Sequence, residues 1–429
     1  MILLKELLNT FNTAAALGFL CAAIFLSIIT KFPQFRKLGT FLKLLRSKDL
    51  HASGKNTLSP LQALLTAMST SLGMGTIVAP PLAIAIGGPG ALFWMVMYAI
   101  FACVTKFTEV TFAVKYKRYA SDGTIIGGPT GYLYQVHPYL ADWYGFLIIF
   151  LLLSWTALQA KSLAATYAHY AIPEYATGLV TTLFVVYMLI GGAKRIGEFS
   201  SGLVPVMCGL YFIACGLIIF ADITVLKEVI SSIFNHAFSH TAATGGFVGS
   251  TLLVSIRQGI FKAAFVTEAG VGTAAIPHAL ADTKVPTNQG ILAMYSMFGD
   301  TFFCIMSGLV CLVTGVWQMG RISNDLPILA FKSALPFIGP IAYTITVTLF
   351  VIGTAIGNSL NGSKNFAFFT NNRYMYLYYI LVGICIFLGA ILETTSLWDA
   401  ADLLMPFIVL PHVIGLIALS LKHRKELMV

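Results

Sequence analysis

The sequence predicts an all-α, polytopic membrane protein of about 11 transmembrane helices, built as a five-plus-five inverted repeat (spans two to six and seven to eleven) with two broken helices. Three observations predict it: a composition outside the soluble range, eleven long apolar runs, and a glycine–threonine–proline pattern that recurs far along the chain. Of 429 residues, 58% are hydrophobic and 10% charged, and the mean hydropathy is +0.84. Soluble domains run near 45–50% apolar and about 25% charged, so this chain lacks the polar surface to cover a core in water. A bilayer-spanning helix takes about 20 mostly apolar residues, so eleven need roughly 220. The remainder makes short loops and no separate soluble domain.

The apolar runs lie near residues 12–30, 60–85, 90–114, 143–165, 175–192, 201–221, 246–280, 289–317, 334–357, 374–392 and 398–421. Residues 1–59 then hold a leading helix and a basic cytoplasmic loop. Residues 60–221 form the first repeat half, 246–421 the second, and 422–429 a cytoplasmic tail. Lys5 and Glu6 cancel ahead of the first run, whereas Lys31, Arg36, Lys37, Lys43, Arg46, Lys48 and Lys55 follow it. Positive loops stay in the cytoplasm, which puts the N-terminus outside and argues against a cleaved signal peptide. The later loops agree. Those assigned inside, including Lys115, Lys194, Lys284, Lys364 and Lys422, bring the total to 18 basic residues. The outside segments hold Lys5, Lys227, Arg321 and Lys332. Eleven spans place the C-terminus inside, and the basic loops fit a bacterial inner membrane. The net charge of +9 is therefore explained by topology rather than by nucleic acid. The seven cysteines all fall in apolar runs without CxxC spacing, which supports neither a disulfide framework nor a zinc site.

Two runs are unusual as spans. Residues 73–80 read Gly-Met-Gly-Thr-Ile-Val-Ala-Pro and residues 270–277 read Gly-Val-Gly-Thr-Ala-Ala-Ile-Pro. Proline removes an amide donor, and glycine costs roughly 1 kcal/mol in a helix interior. Both runs are expected to break in mid-membrane, where broken backbone persists only if buried or lining a cavity. The breaks sit five spans apart, an odd offset that inverts one copy relative to the other. Paired interrupted spans in two halves mark a transporter's binding site. An unwound helix offers amides at one half-helix N-terminus, which suit a carboxylate, and carbonyls that suit a cation or ammonium. Two facing breaks make a receptor for a zwitterion, to which Thr76 and Thr273 add hydroxyls. The surrounding Ala79, Ala83, Ala274 and Ala275 offer no partner to a charged substrate side chain, which points to a small neutral amino acid.

Further residues carry a family resemblance. Gly87-Gly88-Pro89-Gly90-Ala91-Leu92-Phe93-Trp94-Met95 closely resembles the signature of the sodium:alanine (alanine or glycine:cation) symporter family. So do Thr105-Lys106-Phe107 with Glu109, Val114-Lys115-Tyr116, Asp122-Gly123, Gly127-Gly128-Pro129, Gly192-Ala193-Lys194-Arg195-Ile196 and Val204-Pro205. The second half adds Glu268-Ala269-Gly270-Val271-Gly272-Thr273-Ala274, His278-Ala279 and Asp300-Thr301. The resemblance implies a leucine-transporter-type fold and symport of alanine, glycine or similar amino acids with a cation, sodium being favoured. By position it implies a substrate site of Gly73, Met74, Gly75, Thr76, Gln159, Thr267, Gly270, Val271, Gly272 and Thr273. It also implies a sodium site of Leu72 and Gly75 carbonyls with the Thr354 hydroxyl, and no cofactor beyond that ion.

Three departures cluster around coupling. Thr76 stands where the family has asparagine, Lys161 replaces the asparagine of Gln-Ala-Asn-Ser, and Gly353 replaces the serine before Thr354. Lysine inside a span is expensive unless paired or hydrated. Lys161 is thus a coupling candidate whose amine could occupy a sodium position, giving proton-coupled or uncoupled transport; the alternative is that it snorkels to an interface. Lys106 and Glu109, three apart, read as an ion pair on one helix face, the alternative being a proton relay. Glu268 reads as a brace or gate at the second break, and Asp300 as a partner of Arg257, Lys262 or Lys161. His278, Phe93 and Trp94 read as packing residues. Asn358, Asn361, Asn365, Asn371 and Asn372 read as a solvated loop after span nine. An enzyme is excluded as a class, because no HExxH, GxSxG or carboxylate pair within a span occurs. A channel would favour a ring of identical filters. A transporter-like amino-acid sensor shares the same site and remains a rival. The remaining partner expected is membrane lipid.

Overall fold

The computed structural model describes residues 2–52, 54, 57–221, 223–238, 252–320, 323–392 and 394–428. Lys55, Arg321 and the start of the seventh apolar run lie outside the described residues, as does the side chain of Lys5. Among the described residues, six helices are long and apolar enough to cross a bilayer: Gly90–Lys115, Pro138–Ala168, Gly192–Ile219, Pro286–Val313, Gly339–Thr370 and Leu403–Lys422. Pro60–Ser71 and Met74–Gly87 form a bent pair, 43° at the break between them, that together is long and apolar enough for one further span. Shorter apolar helices run over Thr13–Ile29, Glu174–Ile190 and Met375–Ile391. Large apolar side chains such as Phe146, Phe150, Leu183, Ile190, Ile213 and Leu217 face outward. A soluble monomer does not tolerate so extensive an apolar surface; lipid tails do.

The first broken span opens on a capping box. The Ser59 hydroxyl accepts from the Gln62 amide at 3.1 Å, and the Ser59 amide donates to Gln62 Oε1 at 3.0 Å, with Pro60 in the first helical position. The break falls at Leu72–Gly73, not at the prolines: Pro80 and Pro81 lie inside the helix Met74–Gly87. Pro80 has no amide to offer the Thr76 carbonyl one turn earlier. The Ser307 hydroxyl supplies that hydrogen bond from the neighbouring helix at 2.8 Å, which is why the helix survives.

The second break is wider. The helix Leu252–Thr267 ends, residues 268–274 are non-helical, and a single turn, Ala275–Ala279, follows. Pro277 sits in that first turn, where its missing amide has no helical acceptor. Gly270 and Gly272 take φ of +88° and +89°, conformations that glycine adopts without a Cβ penalty. The same Gly-x-Gly-Thr therefore makes a sharp corner in one copy and an unwound segment in the other. Just outside both elements, Leu58 pairs in parallel with Ala281. The bonds Leu58 N to Leu280 O, 2.9 Å, and Asp282 N to Leu58 O, 2.8 Å, tie the two broken elements together.

Two loop assignments need correction. The helix Gly339–Thr370 continues well past the expected end of span nine and carries Asn358, Asn361 and Asn365 into the interior, each nearly inaccessible. Lys364 belongs to the same helix rather than to a loop. Asn371 and Asn372 do sit in the turn beyond it, where they bond Ser121 and Asp122 of the β-hairpin segment at 118–126. Trp94 and Phe93 pack under the helix Ile223–Phe238, the indole donating to the Ala237 carbonyl at 3.1 Å.

Candidate substrate and ion site

The corner at Leu72–Gly73 opens onto a small polar pocket, a cavity of about 20 Å³. Gly73 and Gly75 form its floor; Thr70 and Ser71 come from the turn before the corner. Trp155 and Gln159 face it from the helix Pro138–Ala168, and Thr354 and Asn358 from Gly339–Thr370. Phe265, Val266 and Glu268 complete it from the end of the helix that precedes the second break. The Trp155 and Phe265 rings meet edge to face, 5.2 Å apart at 88°.

The corner is held by side chains one helix away. Gln159 Oε1 accepts the Met74 amide at 3.0 Å, satisfying one donor that a helix N-terminus leaves unpaired. The Thr354 hydroxyl donates to the Ser69 carbonyl at 3.1 Å, and the Thr76 hydroxyl to the Ser71 carbonyl at 3.1 Å. Gly353 is explained by Ser69: a Cβ at Gly353 would stand 2.5 Å from Ser69 Oγ. That hydroxyl is buried and has no partner among the described protein atoms, so an oxygen from Ser69 occupies the neighbourhood where a serine at 353 would put one.

At the second break the freed backbone groups are already taken. Glu109 Oε1 accepts the Gly270 amide at 2.9 Å, and His412 Nδ1 donates to the Gly270 carbonyl at 2.8 Å. Tyr98 donates to Ala269 O at 3.0 Å, Tyr144 to Val271 O at 2.8 Å, and Asn361 to Thr273 O at 3.3 Å. The structure thus brings Gly73, Gly75, Gln159 and Thr354 to the cavity lining and leaves Met74, Thr76, Thr267, Gly270, Val271, Gly272 and Thr273 off it. Leu72 forms the corner itself. Glu268, at φ +57°, lies at the break, its carboxylate accepting from the Thr273 hydroxyl at 2.6 Å, and it lines the cavity as well.

The expected ion pairs are rearranged. Lys106 does not pair with Glu109; its ammonium lies 3.2 Å from Asp300 Oδ2, both side chains being fully buried. The partner of Asp300 is therefore Lys106, not Arg257, Lys262 or Lys161, because Pro286–Val313 packs along Gly90–Lys115 and faces it. Ser71 donates to the same Asp300 oxygen at 3.0 Å, which links the pair to the cavity wall. Glu109 looks the other way, to Gly270 and to His412 at 3.9 Å. Lys161 is drawn off the site: its ammonium lies 2.9 Å from both carboxylate oxygens of Glu174 and 3.3 Å from the Ala390 carbonyl. His278 is packed and bonded to Gln289 at 2.7 Å.

Sequence reasoning missed Thr70, Ser71, Trp155, Phe265, Val266 and Asn358 as lining residues. A signal was there. Trp155 precedes Gln159 by four residues and Asn358 follows Thr354 by four, so each shares a helix face with a residue already singled out. Thr70 with Ser71, and Phe265 with Val266, are the last turns before the two breaks.

A helical membrane chain with mid-span corners closing on a polar cavity is built as a secondary transporter. The chain belongs to the sodium:alanine symporter family, whose model matches residues 3–428. Members of that family are cation-coupled amino-acid transporters, not enzymes. The sodium/alanine symporter AgcS of Methanococcus maripaludis is 31% identical over 411 residues, covering 92% of this chain and 89% of AgcS. The probable sodium/glutamine symporter GlnT of Bacillus subtilis is 30% identical over 408 residues, covering 92% of this chain and 83% of GlnT. Among solved structures, a Na+-coupled sialic acid symporter shares the fold, with a TM-score of 0.64, 14% identity, and coverage of 95% of this chain and 86% of that one.

Proposed function

We propose that this protein is a sodium-coupled symporter of small neutral amino acids such as alanine and glycine, working by alternating access around the corner at Leu72–Gly73. The observation that carries this reading is the composition of the cavity: one helix N-terminus, two glycines, two aromatic rings, several uncharged oxygens and the Glu268 carboxyl. The substrate carboxylate would face the N-terminus of Met74–Gly87, where amides and the helix dipole favour an anion. Gly73 and Gly75 let it approach the backbone, and the Trp155–Phe265 pair leaves room for a short side chain only. Sodium would take the Leu72 and Gly75 carbonyls and the Thr354 hydroxyl, with Ser69 Oγ as a further oxygen. Hard cations at such corners are held by unwound carbonyls and nearby hydroxyls.

In the same reading the two breaks belong to inverted halves, 60–221 and 246–421, within about eleven spans. The N-terminus lies outside and the tail inside a bacterial plasma membrane. One bundle rocks against the rest, and bound ion and substrate favour the occluded form. Proton-coupled or uncoupled transport through Lys161 is less well supported, because Glu174 already engages that ammonium.

Thermal protection of the purified protein tests the reading. Alanine and glycine should raise the unfolding temperature in sodium but not in potassium, and glutamine should do so less. Equal protection in potassium would remove sodium; stronger protection by glutamine would remove the small-substrate assignment.

A further inference from the structure

The buried charges of the core do not balance. Among the described residues, the ionisable side chains that are almost wholly inaccessible are Lys106, Glu109, Glu268, Asp300, His278 and His412. Three are carboxylic acids and one is a lysine. Lys106 is committed to Asp300 at 3.2 Å. Glu109 accepts the Gly270 amide at 2.9 Å and lies 3.9 Å from His412 Nδ1, which itself donates to the Gly270 carbonyl. His278 is engaged by Gln289 at 2.7 Å.

Of the three acids, Glu268 is the one in the cavity lining. The hydroxyl of Thr273 donates to one of its oxygens at 2.6 Å, and none of the ion pairs among the described residues includes it. A carboxylate inside a membrane protein is costly unless it meets a cation. The wall of the cavity that holds Glu268 also holds Asn358, whose Oδ1 is buried and has no partner among the described residues. An orphan amide oxygen and an unmatched carboxyl on one small cavity describe a cation's ligands.

We propose that Glu268 is the anionic ligand for one monovalent cationic group inside this cavity, with the Asn358 carbonyl oxygen as a neutral ligand. The inference rests on the reading of the cavity as the transport site. Two sources share this chemistry, a sodium ion and the ammonium of the amino-acid substrate, and both leave the substrate carboxylate to the helix N-terminus at Met74. With the cationic group bound, the Glu268 carboxylate is matched. Without it, Glu268 must take a proton or remain unbalanced, so occupancy and the closed arrangement of the two breaks are linked.

The test uses the purified full-length protein in nanodiscs. Radiolabelled sodium is titrated alone, and radiolabelled alanine is titrated at saturating sodium, for the parent, Glu268→Gln and Glu268→Asp. Sodium affinity lost by more than about tenfold in E268Q without alanine, and largely recovered in E268D, supports the proposal with the ion as the source. Sodium binding retained while alanine affinity falls by that factor supports it with the ammonium as the source. Parent-like binding of both ligands by E268Q overturns it, as does equal impairment of E268Q and E268D, the signature of a brace. If E268Q does not elute as a monodisperse species, Asn358→Leu is decisive: weaker binding of either ligand supports the proposal and unchanged binding overturns it. A parent protein that binds neither sodium nor alanine instead refutes the transport reading of the cavity.

Discussion

Removing Lys106 or Asp300 singly should destabilise the protein far more than removing both. The two charges lie 3.2 Å apart with no water-accessible surface. At an effective dielectric of about 20 their attraction is about 5 kcal/mol before desolvation is counted. Taking two ions out of water offsets much of that, but a single deletion strands the other charge and typically costs about 3–5 kcal/mol. The double replacement by apolar residues strands nothing and is often near neutral. Ser71 makes the geometry specific, because its hydroxyl donates to the same Asp300 oxygen at 3.0 Å. Lys106→Met, Asp300→Leu and the double variant should therefore form a cycle with a coupling energy of about 3 kcal/mol or more. The assay is the free energy of unfolding in mixed detergent micelles, read by tryptophan fluorescence. Additive single effects, within about 0.5 kcal/mol, would refute the pairing and the placement of the two helices that creates it.

Gly75→Leu should abolish alanine binding with little loss of folded protein, because its Cβ would stand 2.7 Å from the Phe265 ring and push it into the cavity; thermal-shift and alanine-binding measurements on one preparation separate the two effects. Gly272→Leu should instead lower the yield of folded protein, since a Cβ there meets Pro129, His412 and Tyr144 within 2.8–2.9 Å at φ +89°. Lys161→Asn should leave the ion dependence of transport unchanged and cost about 1 kcal/mol or less, as expected for a partly exposed pair with Glu174; stronger sodium dependence in uptake assays would return Lys161 to coupling. At the C-terminal end, hydrogen bonds from Lys115 and then from His423 hold the Glu426 carboxyl below its ordinary value. A depressed carboxylate stabilises above its unfolded pKa and ceases to as pH falls through the folded one. Amide exchange in residues 424–428 should accordingly accelerate below about pH 4, and exchange that ignores pH across that range would contradict the contact.

Much of this architecture was legible because it rests on counting. Apolar runs of span length reappear among the described residues as six long apolar helices, one bent pair and shorter apolar helices, and a matched Gly-x-Gly-Thr marks two places where helices cannot run unperturbed. The position of the first break was not legible: Pro80 remains helical because Ser307, more than 200 residues away, replaces the lost hydrogen bond. The asparagines after Thr354 read as loop because polar residues usually are loop, whereas burial against Thr273 makes them interior. Charge partners were the least accessible of all. Lys106 and Glu109 are three apart and share a helix, yet one turns to Asp300 and the other to Gly270. Sequence spacing sets which residues could meet, and tertiary packing chooses among them. Gln159 and Thr354 were found through family pattern, and the rest of the cavity lining followed from them only once helix faces were known.

The most direct measurement is alanine uptake into proteoliposomes containing the purified protein, with an inward sodium gradient as the sole driving force and an inward proton gradient as the comparison. The account predicts accumulation above equilibrium with sodium, collapse of that accumulation when the gradient is dissipated, and none in Gly75→Leu. Accumulation driven by protons alone, or none under either gradient, would contradict it.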